Sequence, residues 1–65
     1  MTPHDRRRVL GEVRRHPGAT TAELATRAGL SQLATLQALV RLERQRSATR
    51  TIATDGAALL RWWPR

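Results

Sequence analysis

Three residues, Gly29-Leu30-Ser31, separate two stretches that both read as helix, and no other feature restricts this chain so tightly. Gly29 suits the position just past a helix end, where a positive φ is often required. Ser31 is a good N-cap for the second stretch. One helix must stop, the backbone must turn, and a second helix must start within those three residues. Upstream, Thr20-x-x-Glu23 has the capping-box pattern. It places helix 2 at about residues 21–28, with Leu24, Ala25 and Ala28 facing inward. Downstream, Gln32 to Arg44 contains neither Gly nor Pro, so helix 3 spans about residues 32–45.

The flanking pieces are set by the same punctuation. Thr2 as N-cap, Pro3 at the first helical position and Asp5 start helix 1, at about residues 3–16. Val9, Leu10 and Val13 share one of its faces. Arg14, Arg15 and His16 suit its C-terminal dipole, and Pro17-Gly18 ends it. Gly18-Ala19-Thr20 is expected to lie extended. Residues 48–63 predict a hairpin, with β-branched Thr49, Thr51, Ile52 and Thr54 ahead of Asp55-Gly56. Ala57-Ala58-Leu59-Leu60 also suits a short helix. A two-residue turn at Asp55-Gly56 pairs Thr54 with Ala57, Ile52 with Leu59, and Arg50 with Arg61. Pro64 ends the last strand.

Sixty-five residues allow one domain, residues 1–65, mainly α with a small β-hairpin. A domain this small buries only about 60% of its unfolded surface, so its core is thin. There is no Cys, so no disulfide or thiolate metal site reinforces it. Apolar residues make up 40%, too many for a disordered basic tail. No apolar run approaches a membrane span, and the polar N-terminus carries no visible secretory signal, so a cytoplasmic protein is expected. All twelve basic residues are Arg, against five acids, for a net charge of +7. Codon bias explains Arg in place of Lys. It does not explain the excess, which favours a polyanionic partner, nucleic acid above all.

The order of pieces resembles a winged helix-turn-helix. The resemblance rests on Pro17-Gly18-Ala19-Thr20-Thr21-Ala22-Glu23-Leu24-Ala25, on Gly29-Leu30-Ser31-Gln32, and on Leu39-x-x-Leu42-Glu43-Arg44. The run from Leu30 to Arg44 is similar to the recognition helix of MarR-like and other small bacterial regulators. The resemblance covers nearly the whole chain. It implies a bracing second helix, a third helix in the major groove of double-stranded DNA, and a wing on the backbone or minor groove. The implied role is that of a small transcriptional regulator or accessory factor, nucleoid-associated when bound to DNA. Three departures stand out. Arg46 occupies the place where the family usually has Gly. Ala34-Thr35 replaces Thr-Val. The chain has no room for the dimerisation helices of larger regulators. Gly18-Ala19-Thr20-Thr21 and the late Trp also resemble the winged domain that binds left-handed nucleic acid. That family uses Asn and Tyr where this chain has Leu36 and Val40. Left-handed nucleic acid, or RNA, is therefore the minor alternative.

At 100° per residue, Thr35, Ala38, Leu39 and Leu42 form the core face of helix 3, joined by Leu30. Leu33, Gln37, Val40 and Arg44 point the other way, flanked by Leu36 and Arg41. Those are the base-contact positions of a DNA-reading helix. Gln37, and Gln32 in the first turn, have the chemistry to read adenine. Leu33, Leu36 and Val40 form an apolar stripe with three open readings. The register of the wheel is slightly rotated and the core face is broad. The stripe is a protein interface, for a homodimer or a partner chain. Or it touches thymine methyls. Arg27, Arg41, Arg44 and Arg46, on or beside the helix-turn-helix, are candidate phosphate contacts. So are Arg50 and Arg61, because like charges paired across a ladder repel and a polyanion relieves them. Ser31 is a candidate through its helix N-terminus.

Arg6-Arg7-Arg8 opposes the dipole of helix 1, which leaves a phosphate contact or a solvated face. Of Trp62 and Trp63, adjacent in a strand, one is expected in the core and the other covered at its edge or exposed. Nothing in the sequence supports an enzyme. His4 and His16 lie at opposite ends of helix 1, and Glu12 with His16 makes only two ligands. No Gly-rich phosphate loop, nucleophile elbow or carboxylate pair occurs, so no cofactor and no metal are expected.

Overall fold

The capping signals at Thr20 and at Ser31 both form. Thr20 Oγ1 accepts from the Glu23 amide at 3.2 Å, and the Glu23 carboxylate accepts from the Thr20 amide at 3.0 Å. Ser31 Oγ accepts from the Ala34 amide at 3.1 Å. The computed structural model describes residues 3–53 and 59–65. Along them run α1 (Pro3–Arg15), β1 (Ala19–Thr20), α2 (Thr21–Ala28), α3 (Gln32–Arg44), β2 (Ala48–Ala53) and β3 (Leu59–Pro64). The predicted helices are reproduced to within a residue at each described end. The Thr2 cap and the Asp55-Gly56 turn lie outside the described residues.

The sheet differs from expectation in two ways. It has three strands, in the order β1-β3-β2, because the extended pair Ala19–Thr20 joins the far side of β3. Its register is also shifted by one residue. Arg50 pairs with Trp62, Thr51 with Arg61, and Ile52 with Leu60. The expected Arg50–Arg61 and Ile52–Leu59 pairs do not form. A one-residue slip flips a strand's side chains, so burial selects the register. Ala19, Ala48 and Trp62 are all buried, and the observed pairing puts all three on one face, which the one-residue slip would not.

The core lies between the three helices and that face. Val9 and Val13 of α1, Leu24 and Ala28 of α2, and Ala38, Leu39 and Leu42 of α3 enclose Trp62. Leu10, Leu30, Leu36 and Leu60 pack against its margin. Trp62 is the largest fully buried side chain of that core. Its indole N–H is satisfied by Thr21 Oγ1 at 2.8 Å. Thr35 is fully buried, and its hydroxyl has no partner among the described residues.

Two sharp exits set the angle of α3. Gly29 has φ 71°, with its amide on Thr26 O and the Leu30 amide on Ala25 O. That is a Schellman end. Arg46, where the family usually has Gly, takes φ 59°. Its amide meets Glu43 O and the Ser47 amide meets Leu42 O, the same motif. Arg46 therefore takes the left-handed conformation that Gly adopts most readily.

Candidate nucleic-acid interface

Because α3 is gripped by α1 and α2 through its Thr35–Ala38–Leu39–Leu42 face, its opposite face is left outward. Gln32, Leu33, Gln37, Arg41 and Arg44 are exposed there. Leu36 and Val40 are half-buried, and Leu36 leans on the core margin. Thr35, Ala38, Leu39 and Leu42 are the buried face, and that face is broad enough to take in part of Leu36. The stripe divides, with Leu33 at 67% exposure and Leu36 partly internal.

Two grooves flank Leu36. One, of about 490 Å³, is lined by Leu36, Gln37, Val40, Arg41 and Arg44. The other, of about 330 Å³, has Leu33, Leu36, Leu60 and Gln32 together with Thr20 and Thr21. Leu60 extends the apolar surface from α3 to the sheet, and its strand partner Ile52 is 66% exposed. The sequence pattern alone did not single out Leu60 or Ile52. Their signal is their place relative to Trp62, visible only once the register is known.

The arginines do not act as one group. Arg41 and Arg44 rim the first groove, and Arg46 is exposed just beyond the end of α3. Arg50 is occupied: its Nε lies 3.1 Å from Glu43 Oε2, and its guanidinium sits 6.0 Å from the Trp62 ring centroid. It therefore ties β2 to the last turn of α3. Arg61 lies across the sheet, where its Nη1 donates to Gly18 O at 3.0 Å. Arg27 shares a groove with Arg61, Glu23 and Gly18, away from the outward face of α3. Arg50 and Arg61 thus have partners within the protein and are not opposed to each other. Ser31 is exposed, with its hydroxyl oxygen used as the cap.

Glu23 sits below the ordinary carboxylate range. The Thr20 backbone N–H is the main cause, followed by the Thr20 hydroxyl and then Arg61 and Arg27. Arg8, read as phosphate contact or solvated, donates to Ala28 O at 3.1 Å, at the negative end of α2. Trp62 is the core tryptophan. Trp63 is 38% exposed, bonds Thr51 Oγ1 at 3.0 Å and covers Gly18. A Cβ at Gly18, where φ is 85°, would stand 3.0 Å from the Trp63 ring. Glu12 lies 3.8 Å from His16 and 3.3 Å from Arg15. Among the described residues no three His, Cys, Asp or Glu side chains cluster as a metal site. No helix among them is long and apolar enough to cross a membrane.

Comparison with known proteins places this geometry. The model of the family described as winged helix-turn-helix DNA-binding matches residues 6–45. A MarR family transcription regulator superposes with TM-score 0.87 at 21% identity, covering 94% of this chain and 40% of the other. The PcaV transcriptional regulator from Streptomyces coelicolor gives 0.86 at 17% identity, covering 100% and 45%. The Zalpha domain of PKZ from Carassius auratus, solved in complex with Z-DNA, gives 0.78 at 14% identity, covering 95% and 94%. The chain thus spans less than half the length of these two regulators and nearly all of the Zalpha domain. No curated protein sequence matches it.

Proposed function

This chain belongs to the winged helix-turn-helix DNA-binding family, whose members bind nucleic acid rather than catalyse, and from that premise we propose that it binds double-stranded DNA as the reading domain of a transcriptional regulator or accessory factor. The observation that carries the proposal is the outward face of α3. Gln32, Leu33 and Gln37 stand exposed ahead of Arg41 and Arg44, on a helix held from behind. In this reading the first half of α3 meets base edges, and Arg41, Arg44 and Arg46 meet phosphate. Arg27 adds to the field from the side. Arg50 and Arg61 contribute charge while holding the wing in place. The likeness to a MarR family transcription regulator supports a regulatory role.

Titration of duplex DNA against salt tests the proposal. Log affinity should fall linearly with log salt. Arg41→Ala with Arg44→Ala should reduce the slope by roughly 1.8, at about 0.9 per phosphate that each arginine neutralises. No duplex binding at low salt would overturn it. A left-handed duplex belongs in the same titration, because of the Zalpha likeness. With Leu36 and Val40 in place of Asn and Tyr, the right-handed form should bind more tightly.

A second reading draws on the 67% exposure of Leu33 beside Leu36 and Leu60. Here the stripe of Leu33, Leu36 and Val40 docks a second copy or another protein. Sedimentation at high protein concentration separates the two. A dimer that dissociates on Leu33→Ala would favour docking.

A further inference from the structure

We infer that the reading face of α3 selects A·T base pairs and does so largely through thymine methyl groups; the inference rests on the duplex-DNA function proposed for this face. Base edges in the major groove call for distinct side chains. Guanine is read by Arg or Lys, cytosine by Asp or Glu, adenine by Asn or Gln, and the thymine methyl by apolar groups. The N-terminal half of a recognition helix is the part that reaches those edges.

On this helix the outward residues of that half are Gln32, Leu33, Leu36 and Gln37, followed by Val40. They comprise two adenine readers and three methyl readers, with no group suited to guanine or cytosine. The chain has twelve Arg, yet none lies between Arg27 and Arg41. Arg41 and Arg44 lie on the same outward face but in the C-terminal half of the helix, past the residues that reach base edges.

The shape agrees with the chemistry. Leu36 belongs to both grooves, with Gln32 beside one and Gln37 beside the other. Each groove therefore offers an apolar wall and one amide, which matches the methyl of thymine and the N6/N7 edge of its paired adenine; Arg41 and Arg44 close the C-terminal end of the first groove, and Thr20 and Thr21 the far side of the second. Leu33, at 67% exposure, gains burial only when something apolar covers it. A thymine methyl supplies that cover without an unpaired polar group.

The test starts with selection of bound duplexes from a random pool by the full chain. The enriched duplex is then synthesised with thymine and with uracil, which lacks only the methyl. We expect an A·T-rich core. Each methyl removed beneath Leu33 or Leu36 should weaken binding roughly three- to fourfold. Leu33→Ala, at an exposed position that leaves the core intact, should reduce the thymine-over-uracil preference while preserving the salt slope.

A G·C-rich core, or equal affinity for thymine and uracil duplexes, overturns the inference and leaves DNA binding standing. Failure to bind any duplex overturns both. Loss of self-association in Leu33→Ala, with thymine preference unchanged, assigns the stripe to a protein contact and also overturns it.

Discussion

Helices α2 and α3 end in the same backbone motif with different residues. Gly29 and Arg46 both lie in the left-handed region, at φ 71° and 59°, and both close a Schellman pair of hydrogen bonds. Gly29 adopts that conformation without steric cost, whereas an L-residue with a Cβ gives up roughly 1–2 kcal/mol there. A Cβ at Gly29 would meet nothing within 4 Å, so its requirement is purely conformational. At Arg46 the strain is tolerated, and the residue that carries it is an exposed cation at the end of the candidate reading helix. The two turns also lead to different places. After Gly29 the chain is caught at once by the Ser31 cap. After Arg46 it enters β2, held across the turn by Arg50 on Glu43.

The largest effect should come from Gly29→Val, which puts a β-branched residue at a positive φ. It should cost about 2 kcal/mol and lower the Tm on the order of 10 °C. An unchanged urea midpoint would mean that the two exits are equally permissive. Arg50→Glu comes next. It breaks the tie to Glu43 and uncovers Trp62, at a cost of up to about 1 kcal/mol for so exposed a pair. Adding Glu43→Arg should return the ion-pair share of that loss and restore DNA affinity. If affinity stays low after the swap while the fold recovers, Arg50 touches phosphate directly.

Arg46→Gly should have a smaller effect, of opposite sign. Relief of roughly 1–2 kcal/mol is offset by the extra freedom of Gly in the unfolded chain, for a net gain of about 0.5–1 kcal/mol. Thermal unfolding reads this directly, and a loss of stability would show that the Arg46 side chain contributes packing. The smallest stability change belongs to Arg46→Ala, which keeps the strain and removes the charge. Its Tm should stay within error, while the salt slope of DNA binding should fall by roughly 0.9. An unchanged slope would remove Arg46 from the phosphate contacts.

Much of this molecule is legible without any knowledge of the fold, because its punctuation is local. Thr20, Glu23, Gly29 and Ser31 act on backbone groups within five residues of themselves, so the ends of α2 and the start of α3 follow from spacing. Periodicity likewise separates Leu39 and Leu42 from Leu33 and Gln37 on α3. The tertiary structure decided whatever depends on distant partners. The register of β2 on β3 was set by the burial of Trp62 with Ala48 and Ala19, and it parted the expected Arg50–Arg61 pair. Whether an arginine is a free cation or a strut is another such question. Arg8 meets Ala28, Arg50 meets Glu43, and Arg61 meets Gly18, forty-three positions away. Composition counts those charges alike. Packing assigns them, because a guanidinium's role depends on which acceptor the fold brings within about 3 Å.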